Sequence, residues 1–242
     1  MLGLKRRNSM DKQVYVVATI KPWNIQVYNE IIKNYPGKWH LITEPQDLTA
    51  GKIRTLGPKY IFFPHWSHIV PDEILNLSNC VCFHETDLPY GRGGSPLQNL
   101  IAQGHRETAI TALKMVNKLD AGPIYVKRTL SLEGLAEEIF IRASHIVAEM
   151  IRFIITENPE PKEQIGEPTI FSRRTPAQSK IPIEINDLLK LFDHIRMLDA
   201  DGYPKAYFDF GFFRCEISRP ALKTEAIYAD IRITKKEGEN ND

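Results

Sequence analysis

The chain has 242 residues, 43% of them hydrophobic and 25% charged, and its 31 basic and 30 acidic side chains leave a formal net charge of +1. That length can bury one large core, or one large and one small, and the balanced charge gives no general reason to bind a nucleic-acid backbone. Three cysteines, two of them in Cys80-Val81-Cys82, do not make a disulfide framework, and no apolar run approaches membrane-spanning length, so the expectation is a reducing cytoplasm with no membrane and no nucleic-acid partner.

Residues 1–9, MLGLKRRNS, form a short basic lead that lacks the apolar stretch of a signal peptide, and Met10 is a second candidate for the start of the fold. Residues 13–19, QVYVVAT, read as a buried strand. Lys21-Pro22-Trp23-Asn24 reads as a turn, with Asn24 capping a helix that carries Ile25, Tyr28, Ile31 and Ile32 and ends at Pro36-Gly37. A second strand spans 39–43, a modest helix 48–56 stops at Gly57-Pro58, and a third strand at 60–63 runs into Pro64-His65-Trp66-Ser67-His68. A short helix at 71–75 leads to a strand at 81–83 that ends at His84, followed by a loop rich in glycine and proline. Pro96 suits the first turn of a helix at 96–103. Strands follow at 108–115 and 125–129, then a long amphipathic helix at 135–155 with Ile139, Ala143, Ile146, Met150 and Phe153 on one face, closed by Asn158-Pro159. Residues 157–175 are rich in proline, glutamate and lysine and read as an irregular surface traverse. A helix at 186–198, strands at 206–210, 213–218 and 228–234, and a disordered polar tail, KKEGENND, complete the chain.

Strands alternating with helices predict an α/β fold: a Rossmann-like, mostly parallel sheet flanked by helices, with a small C-terminal helix-plus-β-hairpin unit. The expected boundaries are a disordered lead at 1–11, a main domain at 12–178, a small α+β subdomain at 179–235 and a disordered tail at 236–242. The first strand-to-helix corner carries no G-x-G-x-x-G, so no nicotinamide dinucleotide is suggested.

The chemistry-bearing residues concentrate in 78–125. His84 follows a strand beside the glycine-rich loop, and Asp120 sits at the corner Asp120-Ala121-Gly122-Pro123. Adjacent parallel strands would bring the two within reach, where a carboxylate orients an imidazole and supports its protonated form. A structural histidine and a turn-capping aspartate would leave the same trace. Glu85, Asp87, His65 and His68 add polar density, but their spacings match no recognised metal-ligand set, and no metal is expected. Cys82, two residues from His84 on one strand, shares its face with or without a nucleophilic role.

Cys82-Phe83-His84-Glu85-Thr86-Asp87-Leu88-Pro89, then Tyr90-Gly91-Arg92-Gly93-Gly94-Ser95-Pro96, and then Leu119-Asp120-Ala121-Gly122-Pro123-Ile124 resemble the family of formyltransferases that use N10-formyltetrahydrofolate. The family pattern sets an asparagine two residues before the histidine, a Leu-Pro and an Arg-Gly after it, and a Leu-Asp-x-Gly corner further on. The resemblance puts the catalytic histidine on His84 and the aspartate on Asp120, and implies residues 12–178 as the catalytic domain. It implies folate contacts at Phe63, Pro64, His65, Trp66, Leu88 and Asp120, and an acceptor wall at Tyr90, Arg92, Gly93, Gly94 and Ser95. One position departs: the family asparagine, a donor to the formyl oxygen as charge develops, is Cys82 in this chain. Backbone N–H groups around residues 91–95, the substrate, or reduced activity would have to answer for it.

The tail around Arg196, Tyr203 and Lys205 resembles the segment that follows the catalytic domain in nucleotide-sugar N-formyltransferases. The resemblance implies transfer to an amino-deoxysugar linked to dTDP, UDP or GDP, as in lipopolysaccharide and O-antigen biosynthesis. Arg196 and Lys205 would then meet the diphosphate, Tyr203 or Tyr207 would stack on the base or sugar, and the protein would be a homodimer. The alternatives are a methionyl-tRNA formyltransferase, disfavoured by length and net charge, and a catalytically impaired relative that still binds folate or nucleotide.

Overall fold

The computed structural model describes residues 12–236. The expected lead at 1–11 and the tail beyond Lys236 lie outside the described residues. The chain divides into two compact units. One takes in the residues up to Gly93 together with Thr108–Leu130 and Phe140–Ile170; the other takes in Gly94–Glu107, Ser131–Ile139 and the residues from Phe171 onward.

The first unit is built on strands β1 (Val14–Ala18), β2 (Lys38–Ile42), β3 (Tyr60–Pro64) and β4 (Asn79–His84), with β6 (Glu107–Lys114) and β7 (Ile124–Ser131) after the two-residue β5 (Arg92–Gly93). The six longer strands form one sheet in the order β2-β1-β3-β4-β6-β7. The first four are mutually parallel, and β6 runs antiparallel to β4 with Thr111 opposite His84. Because the strands alternate their side chains, Val16, Ala18, Ile61, Phe63 and Cys80 share a face and pack with Ile53 and Ile74 of helices α2 (Ala50–Leu56) and α3 (Asp72–Leu77). Burying each of the larger ones, Val16, Ile53, Ile61, Phe63 and Ile74, stabilises the unit by roughly 1.5–3 kcal/mol. Thr49 caps α2 by accepting from the Lys52 N–H at 3.2 Å, and Gly57 closes it in the left-handed conformation (φ 56°) that a residue without Cβ adopts freely.

Two helix readings are corrected. Helix α1 (Pro22–Glu30) starts two residues before Asn24: Lys21 is the N-cap, Pro22 takes the first turn, where its missing N–H costs nothing, and Asn24 is buried inside the helix. In the long helix, after α4 (Pro96–Ala102), α5 (Ala136–Glu157) buries Ile139, Ala143, Val147, Met150, Ile151 and Ile154, while Ile146 and Phe153 lie at the margin of that face.

The second unit carries α4, helix α6 (Leu188–Arg196) and a three-stranded antiparallel sheet of β9 (Ala206–Phe210), β10 (Phe213–Leu222) and β11 (Ile227–Lys235), which follow the short β8 (Ile170–Phe171). Asp187 caps α6 by accepting from the Lys190 N–H at 2.8 Å. Strand β10 runs beyond the expected end at Ser218, because a register shift between Ser218 and Ala221 accommodates Pro220, which has no N–H for the ladder.

Candidate active site

His84, the last residue of β4, is 7% exposed. One ring nitrogen, Nε2, lies 2.7 Å from the Gly91 carbonyl, so Nε2 carries the proton and donates to it. The other, Nδ1, faces Asp120 Oδ2 at 3.6 Å. That same carboxylate oxygen accepts the Gly93 N–H at 2.9 Å, so the glycine-rich loop holds both members of the pair.

The expected route to this arrangement, two adjacent parallel strands, is corrected. Since β6 is antiparallel to β4, Asp120 comes not from a parallel strand end but from the connection between β6 and β7. Asp120 has φ 50°, a left-handed conformation that aspartate tolerates better than most residues. Gly122 then lies so close to β6 that a Cβ there would sit 1.8 Å from the Lys114 carbonyl oxygen, which is why this corner needs glycine.

Cys82 pairs with Phe63 of β3 and Leu113 of β6, and it packs against the core. Burial, with a smaller contribution from the Asp120 charge, pushes its thiol far up, so the thiolate a nucleophile needs is disfavoured. Of the backbone donors at 91–95 that were one expected answer to the missing amide, three are engaged elsewhere. The Arg92 N–H goes to the Thr169 carbonyl at 2.9 Å, that of Gly93 to Asp120, and that of Gly94 to the Phe171 carbonyl at 3.1 Å. No group of three or more metal-ligating side chains occurs among the described residues.

At the end of β3, Phe63 and Pro64 are buried and His65 follows with φ 51°. Trp23 stacks on Phe140 at 5.2 Å, and the His65 ring meets Phe140 edge-on at 4.8 Å. Burial, helped by Lys21, lowers His65 to about 3. Glu85 stands 4.0 Å from His65 Nδ1, and burial raises its carboxyl, with His84 opposing. The Trp66 indole N–H is buried without a protein acceptor. That orphaned N–H is a donor which a hydrogen-bonding ring could use. Leu88 is 1% exposed, and Tyr90 is half-buried.

Arg92 is held through Nε and Nη2 by the Gln164 Oε1 atom at 3.1 and 2.7 Å. Gln164, which carries no sequence signal, in turn donates to the carbonyls of Asp120 and Gly122 at 2.8 and 2.9 Å.

Gly94, Ser95, Arg196, Tyr203 and Lys205 belong to the second unit. Ser95 Oγ accepts the Arg174 N–H at 3.1 Å, and Gly94 lies where a Cβ would meet Arg173 at 2.5 Å. The diphosphate role expected of Arg196 is corrected. Its side chain is 1% exposed and is spent on Asp193 at 2.6 Å and on the carbonyls of Leu132 and Gly134 at 2.6 and 2.8 Å. Lys205 is engaged with Asp199 at 2.7 Å, and Tyr203 is half-buried.

Residues 29–136 match the family model described as formyl transferase, and residues 176–234 match that of the methionyl-tRNA formyltransferase C-terminal domain. A solved structure of the methionyl-tRNA formyltransferase from Clostridium thermocellum is 46% identical, with a TM-score of 0.90, covering 92% of this chain and 99% of that one. The chain belongs to the formyltransferase family. A formyl donor of the N10-formyltetrahydrofolate type is general to this family. The methionyl-tRNA formyltransferase of Bacillus mycoides (strain KBAB4) is 29% identical over 164 residues, 64% of this chain and 52% of that protein. This formyltransferase thus spans about half the length of the curated relatives it matches. A sugar N-formyltransferase from Shewanella sp FDAARGOS_354 shares the fold (TM-score 0.65, covering 88% of this chain and 99% of that one) but only 14% identity.

These similarities overturn the nucleotide-sugar reading, together with its polysaccharide setting and the exclusion of nucleic acid. Length and net charge misled for a physical reason. Residues 176–234 match the methionyl-tRNA formyltransferase C-terminal model, and a charge summed over the whole chain does not report local surface potential. No helix among the described residues is long and apolar enough to cross a membrane.

Proposed function

We propose that this formyltransferase moves a formyl group from N10-formyltetrahydrofolate to the amine of methionyl-tRNA. The observation that carries the acceptor is the 46% identity to the Clostridium thermocellum methionyl-tRNA formyltransferase over 99% of that chain. When bound, the folate supplies the formyl carbon that the amine attacks; Phe63, Pro64, Trp66 and Asp120 are the residues that would hold it.

His84 takes the proton the amine loses, and the same proton would go to N10 of the folate as the bond between the formyl carbon and N10 breaks and tetrahydrofolate leaves. With Nε2–H on the Gly91 carbonyl, the ring accepts at Nδ1, and the resulting imidazolium is flanked by the Asp120 carboxylate. Asp120 is aimed by the Gly93 N–H, which its Oδ2 atom accepts at 2.9 Å. Incubating the protein with N10-formyltetrahydrofolate and methionyl initiator tRNA should yield formylmethionyl-tRNA; its absence at stoichiometric enzyme would refute the acceptor.

The thiol at position 82 favours a second reading, a relative that binds folate but turns over slowly, since no amide side chain stands there. Folate binding by calorimetry without transfer would support it.

A further inference from the structure

We infer that Gln164 is a positioning residue for the formyl transfer proposed above, clamping the Asp120 corner from behind and tying Arg92 to it. The inference rests on that reading for its rate prediction and on geometry alone for its structural one. One amide makes four hydrogen bonds: Oε1 accepts twice from Arg92, while Nε2 donates to the carbonyls of Asp120 and Gly122. Each of the two Nε2 hydrogens thus has its own acceptor, and the only side-chain oxygen is spent on a cation, so the amide cannot be flipped without setting N–H against N–H and oxygen against oxygen.

The clamp matters because of what it holds. Asp120 sits at φ 50°, a left-handed conformation that aspartate tolerates better than most residues but that is still sparsely populated, so its surroundings help to hold it. The Gly93 N–H fixes its side chain, and Gln164 holds its carbonyl. Rotation of that peptide would swing Oδ2 away from His84 Nδ1, across a gap already 3.6 Å wide. Through Arg92, the same amide fixes a guanidinium next to Gly93, whose N–H aims the carboxylate. Gln164 lies in the irregular segment after α5, half-buried, and the reacting groups are not among its hydrogen-bond partners.

Two substitutions separate the halves of the clamp. Gln164→Ala removes both. Gln164→Glu keeps an acceptor for Arg92 but turns the Nε2 donor into an oxygen facing two carbonyl oxygens. Both should lower the single-turnover rate by about tenfold to hundredfold, the cost of a misplaced catalytic group, with substrate KM values within about threefold. Both should leave the melting temperature within about 3 °C of wild type. In both, the His84 ring resonances should move in heteronuclear NMR of the free protein. The titratable groups around that ring, Asp120 across the gap and Cys82 and Glu85 on its own strand side, are unchanged in composition.

Rates within twofold of wild type in Gln164→Glu would overturn the inference, because the clamp requires the amide donor. So would rate losses matched by a large fall in melting temperature with the His84 resonances unmoved. If the wild type forms no formylmethionyl-tRNA, the acceptor reading fails, and the ring resonances, which need no acceptor, still decide for or against the clamp.

Discussion

Replacing Asp120 with asparagine removes one negative charge and little else. Asparagine tolerates the left-handed backbone found at this position, so the corner keeps its shape, and its amide oxygen still accepts the Gly93 N–H. What is lost is the charge facing the imidazolium. At 3.6 Å, with both side chains about nine-tenths buried, the attraction is about 4.6 kcal/mol at an effective dielectric of 20. Because that cation forms only as the amine gives up its proton, the loss falls on the rate, by about three orders of magnitude. The measurement is single-turnover formation of formylmethionyl-tRNA at saturating folate, with circular dichroism as the folding control. A variant within tenfold of wild type would show that the proton leaves by another path and that His84 and Asp120 are a structural pair.

Three further perturbations test separate parts of the molecule. Cys82→Asn should raise turnover about tenfold by restoring an amide donor, while Cys82→Ala should lose less than about threefold, because a thiol is a weak donor; a formyl thioester on Cys82 in mass spectra would contradict both. Arg196→Met should destabilise by about 2–4 kcal/mol in urea titrations by leaving the Leu132 and Gly134 carbonyls unpaired in the interior, while Arg106 still neutralises Asp193; a cost under about 1 kcal/mol would mean that the side chain is dispensable there. His65, lowered by burial from its ordinary 6.5 to about 3, stays neutral in the native state while the unfolded chain takes up a proton, so stability falls as pH drops from 6.5 toward 3. The loss reaches about 2 kcal/mol at pH 5. Glu85, raised by burial, acts with the opposite sign, since the native state keeps a proton that the unfolded chain releases as pH rises. His65→Asn, which tolerates φ 51°, should flatten the acid limb; an unchanged slope between pH 6.5 and 5 would exclude His65 as its source.

The strands of the first unit were legible because their apolar runs are short, β-branched and bounded by proline and glycine: Tyr60–Pro64 between Gly57-Pro58 and His65 is a case in point. Helix starts were less so. Asn24 has the chemistry of a cap, but Pro22 fixes the backbone angle a helix needs one residue after Lys21, and the helix begins there. The direction of β6 was not legible, since an antiparallel strand buried in a sheet has the same composition as a parallel one. His84 and Asp120 could be named from their motifs, whereas Gln164 could not: its partners are two main-chain carbonyls and an arginine 72 positions away in the chain, and nothing in the residues flanking it encodes that distance.

The same limit applies to Arg196. A cation at the end of a helix, followed by aspartates and a tyrosine, reads as a surface contact for phosphate, and its burial is decided by Leu132 and Gly134, more than sixty residues earlier. Position 82 is where sequence and structure bear on each other most closely. The sequence shows that the amide donor is gone, and the structure shows that the Arg92, Gly93 and Gly94 N–H groups are already committed to Thr169, Asp120 and Phe171. If those amides stay where they are, the formyl oxygen has fewer donors than the family pattern provides, and the protonated His84 ring becomes the strongest remaining one. Base and oxyanion donor would then be the same side chain at successive moments. The prediction that distinguishes this arrangement is non-additivity: restoring the amide with Cys82→Asn should rescue part of the loss in Asp120→Asn, because a ring relieved of the oxyanion depends less on its carboxylate. Rate effects that simply multiply in the double variant would mean that the two positions act independently.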